Sequence, residues 1–146
     1  MLKANFITAQ EAAEKIQDGS ILCTIGMTLV SASESILKAI EKRFETVGHP
    51  ADITLVHSCG QSDRKDGIQH LAHEGLVKRI IGSHWGLQPR WMEMIANSQV
   101  EAYCLPQGQI AQLYRSMACG LPGKMSKVGL GTFIDPRVEG GKMNDR

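Results

Sequence analysis

Two kinds of apolar pattern take turns along this chain: positions recurring at helical spacing, and short continuous apolar runs closed by glycine. Ala9, Ala12, Ala13 and Ile16 recur at i, i+3, i+4 and i+7 behind a Thr8/Glu11 capping box, which predicts a helix ending near Asp18-Gly19. Ser20–Ile25, closed by Gly26, predicts a buried strand. Leu37, Ile40, Phe44 and Val47 share one face of a second helix, Ser33–Val47, stopped by Gly48-His49-Pro50. A strand follows at Ile53–Val56 and a polar loop at Gln61–Asp66. Ile68, Leu71, Ala72 and Leu76 predict a third helix, Arg79–Gly82 a strand, and Ser83–Gly86 a turn. Pro89 suits the first turn of a helix carrying Trp91, Met94 and Ile95, and Val100–Leu105 has strand composition. Pro106-Gln107-Gly108 leads into a helix with Ile110, Leu113, Tyr114 and Met117, ended by Gly120-Leu121-Pro122-Gly123. Val128–Phe133 predicts a last, glycine-broken strand, and the polar tail from Asp135 is expected to be irregular.

Five strands alternating with five helices mean βαβ units: a three-layer α/β/α domain with a mainly parallel sheet, spanning residues 1–146. A chain of 146 residues is long enough for one such domain without disulfides or metal. Sixteen basic against 15 acidic side chains give a net charge of +1, which weighs against a nucleic-acid partner. No apolar run approaches the ~20 residues of a membrane span, so no membrane partner is expected. Met1–Gln17 is polar and helical in pattern rather than a signal peptide, so the expected location is cytoplasmic. Cys23, Cys59, Cys104 and Cys119 form no CxxC pair and read as buried, reduced thiols.

Glycine changes the picture most. Every predicted strand ends in one: Gly26, Gly60, Gly82 with Gly86, Gly108, and Gly129 with Gly131. Ligands of open α/β sheets bind outside the carboxyl ends of the strands. A residue without Cβ there lets a ligand approach backbone N–H groups; tight βα turns are the plainer explanation. Gln107, between a proline and a glycine at that edge, has an amide suited to a carboxylate or carbonyl oxygen, or to a turn. A phosphate-binding GxxxxGK[ST] is absent, and Gly129-Leu130-Gly131 lacks the third glycine of a dinucleotide fingerprint. His70-x-x-His73 with Glu74 lacks the order and third ligand of a metal site, so a helix-surface or packing role is expected and no metal. His57 and Cys59 share a strand face and admit a Cys–His dyad, though alternation alone puts them there. Trp85 and Trp91 read as core or interface.

The segments GIQHLAHEGLVKRIIGSHWG (Gly67–Gly86), AYCLPQG (Ala102–Gly108) and VGLGTFIDPRVEGGKMN (Val128–Asn144) resemble the family I CoA-transferases, most closely the single-chain acetate/propionate (short-chain acyl-CoA:carboxylate) type. The likeness runs from about Ile7 to Asn144. It implies one half of a two-half α/β architecture that moves CoA from an acyl-CoA to a free carboxylate. A glutamate attacks the thioester to give an acyl anhydride, then an enzyme–CoA thioester that a second carboxylate resolves. CoA thioester is then a substrate, and no tightly bound cofactor is expected. Gln107 and Gly108, Gly129, Gly131 and Thr132, and Gly26 carry over, with Gln107 holding the carboxylate. The loop after the first strand departs from the pattern: Ser31 and Ser33 stand where Gly and Pro are expected.

The resemblance places the nucleophilic glutamate in the second half, beyond Arg146, and none of the nine glutamates here replaces it. Glu11, Glu14, Glu34, Glu41, Glu45 and Glu93 read as solvated helix positions. The expectation is therefore an N-terminal domain or truncated form that shapes the carboxylate side, works with a missing C-terminal half or complementary subunit, and self-associates. The alternative is a non-catalytic metabolite-binding module of the same fold. A third reading is a decayed product that folds only marginally.

Overall fold

The computed structural model describes residues 4–146; the first three residues of the Met1–Gln17 segment lie outside them. Four strands, β1 (Ile21–Thr24), β2 (Ile53–His57), β3 (Val77–Gly82) and β4 (Glu101–Cys104), form one parallel sheet in the order β1-β2-β3-β4. The helices are α1 (Ala9–Glu14), α2 (Glu34–Val47), α3 (Pro89–Ala96) and α4 (Gln107–Ala118), with a short 3-10 helix at Gly67–Leu71.

Strand alternation sorts the sheet's two faces. The register row Leu22–Leu55–Ile80–Ala102 faces the main core. There it meets Leu37 and Ile40 of α2, Ile68 and Leu71 of the 3-10 helix, and Trp91, Met94 and Ile95 of α3. The next row, Cys23–Val56–Ile81–Tyr103, faces the other way. α4 returns toward it: Ile110 is buried, and the Tyr114 hydroxyl donates to the Thr24 and Val56 carbonyls at 3.1 and 3.2 Å. Burial there pushes the Tyr114 phenol up to about 12. Helices therefore lie on both faces, as alternation requires.

Local chemistry sets the ends. Thr8 and Glu11 form the expected capping box on α1, and Gly48, at φ 73, caps α2 in the left-handed region. Both tryptophans are buried. Three expectations fail. Val128–Phe133 is not a strand: Gly129 and Gly131 take φ of 92 and 77, and Thr132 N–H donates to Gly129 O, so the run coils into turns. The expected helix over Ile68–Leu76 is one 3-10 turn, bounded by Gly67 and Gly75 at φ 77 and 87. Cys23 and Cys119 are exposed and Cys59 and Cys104 half-buried; all four are free. The tail is also less irregular than its polarity implies: Gly141–Met143 runs antiparallel beside β4, with Cys104 N–H donating to Gly141 O (2.7 Å) and Met143 N–H to Ala102 O (2.9 Å).

Candidate functional site

A cleft of about 550 Å³ opens at the carboxyl ends of the strands. Each βα junction supplies part of its wall: Met27 and Thr28 after β1, Cys59 and Gly60 after β2, Ser83, His84 and Leu87 after β3, and Cys104–Gln107 after β4. Phe133 and Ile134 close the remaining side. Among the described residues no Asp, Glu, Lys or Arg lines it, so its polar character rests on hydroxyls, thiols, one amide and one imidazole. It can hold a small apolar body and give hydrogen bonds to its oxygen atoms. It supplies no carboxylate to act as nucleophile.

The loops around the cleft are tied to one another. Thr28 N–H donates to Gly60 O at 2.8 Å, Ser83 Oγ to Ser58 O at 2.5 Å, and Leu105 N–H to Gly82 O at 2.8 Å. Gln61 Nε2 donates to Thr24 O at 2.9 Å, joining β1 to the loop after β2. With its nitrogen facing the His84 and Trp85 carbonyls, the buried Gln88 amide donates to both at 3.1 Å and accepts from Gln61 N–H at 2.9 Å.

Of the site residues carried over by the family resemblance, Gln107 alone lines the cleft, as the first residue of α4 behind Pro106. Cys59 and Gly60, named for a dyad and as an edge glycine, also lie on its wall. Gly108 follows it on the exposed surface. Gly26 sits at φ 141 just before Met27, with its backbone packed against Val30 and Ala32. Gly129, Gly131 and Thr132 form the turn that delivers Phe133 and Ile134. Buried Asp135 holds that turn: its carboxylate accepts from Gly131 N–H at 2.8 Å and from Arg137 Nη2 at 2.6 Å. The Arg137 side chain, first, and the Gly131 amide keep its carboxyl well below the usual carboxylate range.

The His57–Cys59 dyad does not form. His57 is fully buried and its Nδ1 lies 2.7 Å from the Cys59 backbone carbonyl, so the ring's proton serves that bond and not the thiol. Burial pulls His57 down to about 4, leaving it neutral with Nε2 unpartnered. His70 and His73 do not gather with Glu74. His70 reaches Glu41 at 2.5 Å and Glu34 at 2.8 Å, and His73 reaches Glu41 at 2.9 Å. Glu34 and Glu41, expected to be solvated, are half-buried and tie α2 to the 3-10 helix. Burial opposes charging His70, but Glu34 and Glu41 outweigh it and raise the imidazole. Glu34, Asp66 and His70 stand close enough to hold a cation, but the Lys38 ammonium already sits 3.0 and 3.3 Å from the two carboxylates. Sequence reasoning missed His84 and the Phe133–Ile134 wall, and reached Cys59 only as half of the dyad; the one signal was their place near the edge glycines.

The domain is a parallel α/β fold whose glycine-bordered cleft lies at the carboxyl edge of the sheet, the place where open α/β sheets bind small molecules. The model of the family described as Coenzyme A transferase matches residues 6–144, and the chain belongs to that family. It is 42% identical over 142 residues to the caffeate CoA-transferase of Acetobacterium woodii, covering 97% of this chain and 27% of that protein. It is 37% identical over 141 residues to the acetate CoA-transferase YdiF of Escherichia coli K12, covering 95% and 27%. The crystal structure of the E. coli O157:H7 acyl-CoA transferase YdiF in a thioester complex with CoA superposes with a TM-score of 0.88 at 36% identity, over 95% of this chain and 28% of that one. The chain thus matches the N-terminal portion of such enzymes, about a quarter of the length of these relatives.

Proposed function

We propose that this chain forms the carboxylate and acyl side of the active site of a short-chain acyl-CoA:carboxylate CoA-transferase, with a CoA thioester and a small carboxylate as its substrates. The observation that carries the reading is Gln107, which enters, from the first turn of α4, a mostly apolar cleft without Asp, Glu, Lys or Arg among the described residues. There its amide donates to a carboxylate oxygen, aided by the free N–H groups of a helix N-terminus. Gly108 lets the ligand approach that turn, and Gly26, Gly129, Gly131 and Thr132 shape the two loops beside it. The nucleophilic glutamate comes from a complementary half, which caps the cleft. Exposed Ile21, Ile25 and Val30, at 61, 64 and 67%, give that half an apolar surface to cover. Self-association covers it when the other half is absent. The free thiols, two of them exposed, fit a reducing, cytoplasmic setting.

The test is an exchange assay with acetyl-CoA and propionate, using the chain alone and mixed with the remaining three quarters of a relative such as YdiF. Turnover is expected only in the mixture, and Gln107→Ala should abolish most of it. Equal turnover by the chain alone would overturn the division of labour.

A further inference from the structure

His84 is the one ionisable nitrogen on the cleft wall among the described residues, and its setting differs from that of an ordinary surface histidine. Its backbone is fixed from several directions. Gln88 donates to the His84 carbonyl at 3.1 Å, and the neighbouring Ser83 is held through Oγ to Ser58 O. The ring lies between two glycines. A β-carbon at residue 60 would come within 2.8 Å of Nδ1, and one at residue 86 within 3.0 Å of Nε2. The side chain is nevertheless exposed, and it hydrogen-bonds to none of the described residues. An over-determined backbone presenting an unsatisfied donor and acceptor to a cavity is the form a pre-organised binding group takes. The walls around it, Leu87, Leu105, Phe133 and Ile134, offer apolar contact but no competing charge.

We infer that His84 is a specificity-determining residue of the cleft, donating a ring N–H to an oxygen of a short aliphatic carboxylate whose alkyl part lies against Leu87, Leu105 and Phe133. This rests on the reading of the cleft as the carboxylate side of a CoA-transferase, and adds to Gln107 a second donor from a different βα junction. Two donors on separate loops fix the orientation of a planar carboxylate, which one alone does not. The other titratable residues lining the cleft are Cys59 and Cys104, and His57, whose charging His84 opposes, is buried and neutral. Among the described residues no carboxylate lines the cleft to accept its ring N–H in place of a ligand.

The experiment follows the histidine ring and glutamine amide signals of the full chain by NMR during a sodium propionate titration, with sodium chloride as the control. Propionate should move the His84 and Gln107 signals together, leaving those of His49, His70 and His73 in place, and chloride should move none. His84→Ala should weaken propionate binding by about tenfold, the scale of one hydrogen bond to a charged group. His84→Asn, which keeps a donor, should stay within about threefold of the unsubstituted chain. Unchanged affinity in His84→Ala with the Gln107 shift intact would overturn the role of His84 and leave the cleft reading standing. If propionate moves neither signal, both fall. Should His84→Ala fail to fold, the ring titration and His84→Asn decide the matter.

Discussion

The imidazole of His57 and the backbone of Gly82 sit so close, across the β2–β3 pairing, that a β-carbon at residue 82 would overlap the ring at Nε2. The ring cannot withdraw, because Nδ1 is bound to the Cys59 carbonyl and the edge of Trp85 lies against it, ring centres 6.0 Å apart. Gly82→Ala should therefore behave as an overpacked core substitution and cost about 1–3 kcal/mol. Urea denaturation would show a lowered midpoint with an unchanged slope. Combined with His57→Ala it should cost less than the sum of the two single changes, since the second removes what the first strikes.

The same burial gives His57 a signature in acid. Its pKa falls from 6.5 to about 4 on folding, so between those values the unfolded chain holds a proton that the folded chain does not. The stability contributed by the neutral ring is present above pH 6.5 and is lost as pH falls toward 4, by about 3 kcal/mol at most. Denaturation midpoints should rise with pH across this window. In His57→Asn that rise should flatten, whatever the variant's absolute stability.

His70 pulls the other way. Its imidazolium is held by Glu41 and Glu34, and its value is raised on folding. Its contribution is full below pH 6.5 and fades as pH rises through the folded value. His70→Gln should lower stability most below pH 6.5 and least in alkali, so its stability should fall more steeply toward acid than that of the unsubstituted chain only between the raised folded value and pH 6.5. An identical loss at every pH would mean that packing, not charge, joins α2 to the 3-10 helix.

How far the sequence reaches depends on whether a residue's fate is local. α2 was legible because Leu37 and Ile40 recur at helical spacing and Gly48 stops them. Val128–Phe133 looked equally strand-like, yet apolar residues make a strand only when a neighbouring strand takes up their backbone groups. Here Val128 and Leu130 stay 57 and 50% exposed in a chain of turns. The strand-edge rule led to Gln107 because its turn chemistry is written in three adjacent residues. It could not lead to Phe133 or Ile134, which reach the cleft through the fold around Asp135. Glu34, Lys38, Glu41 and Glu45 form an i, i+4, i+7, i+11 polar stripe on α2. Its glutamates read as solvated because the partner of Glu34 and Glu41, His70, is brought to them only by tertiary packing.

Cysteine reactivity should follow exposure. Cys119 and Cys23 lie at the surface, while Cys104 is half-buried with its thiol raised by burial and its Sγ 3.7 Å from the Ser83 carbonyl. Burial also raises the Cys23 thiol, so an aromatic disulfide reagent at neutral pH should label Cys119 first and Cys104 last. Propionate should slow the labelling of Cys59 and Cys104, which line the cleft, and leave Cys119 unaffected.

Asp135 links turn stability to the site. It is 2% exposed, and its two oxygens hold the Gly131 amide and three nitrogens of Arg137. Its lowered pKa means that the contribution is complete above the ordinary carboxylate range and disappears as pH falls below it. Asp135→Asn keeps the shape but replaces one acceptor oxygen with a donor and removes the charge that Arg137 answers. Amide hydrogen exchange should then quicken across residues 128–138 while the β2–β3 core stays protected. Because Phe133 and Ile134 hang from that turn, propionate affinity should fall although residue 135 touches no ligand. The loss should be smaller than that of Gln107→Ala. If exchange quickened with affinity unchanged, the 133–134 wall would be no part of the binding surface.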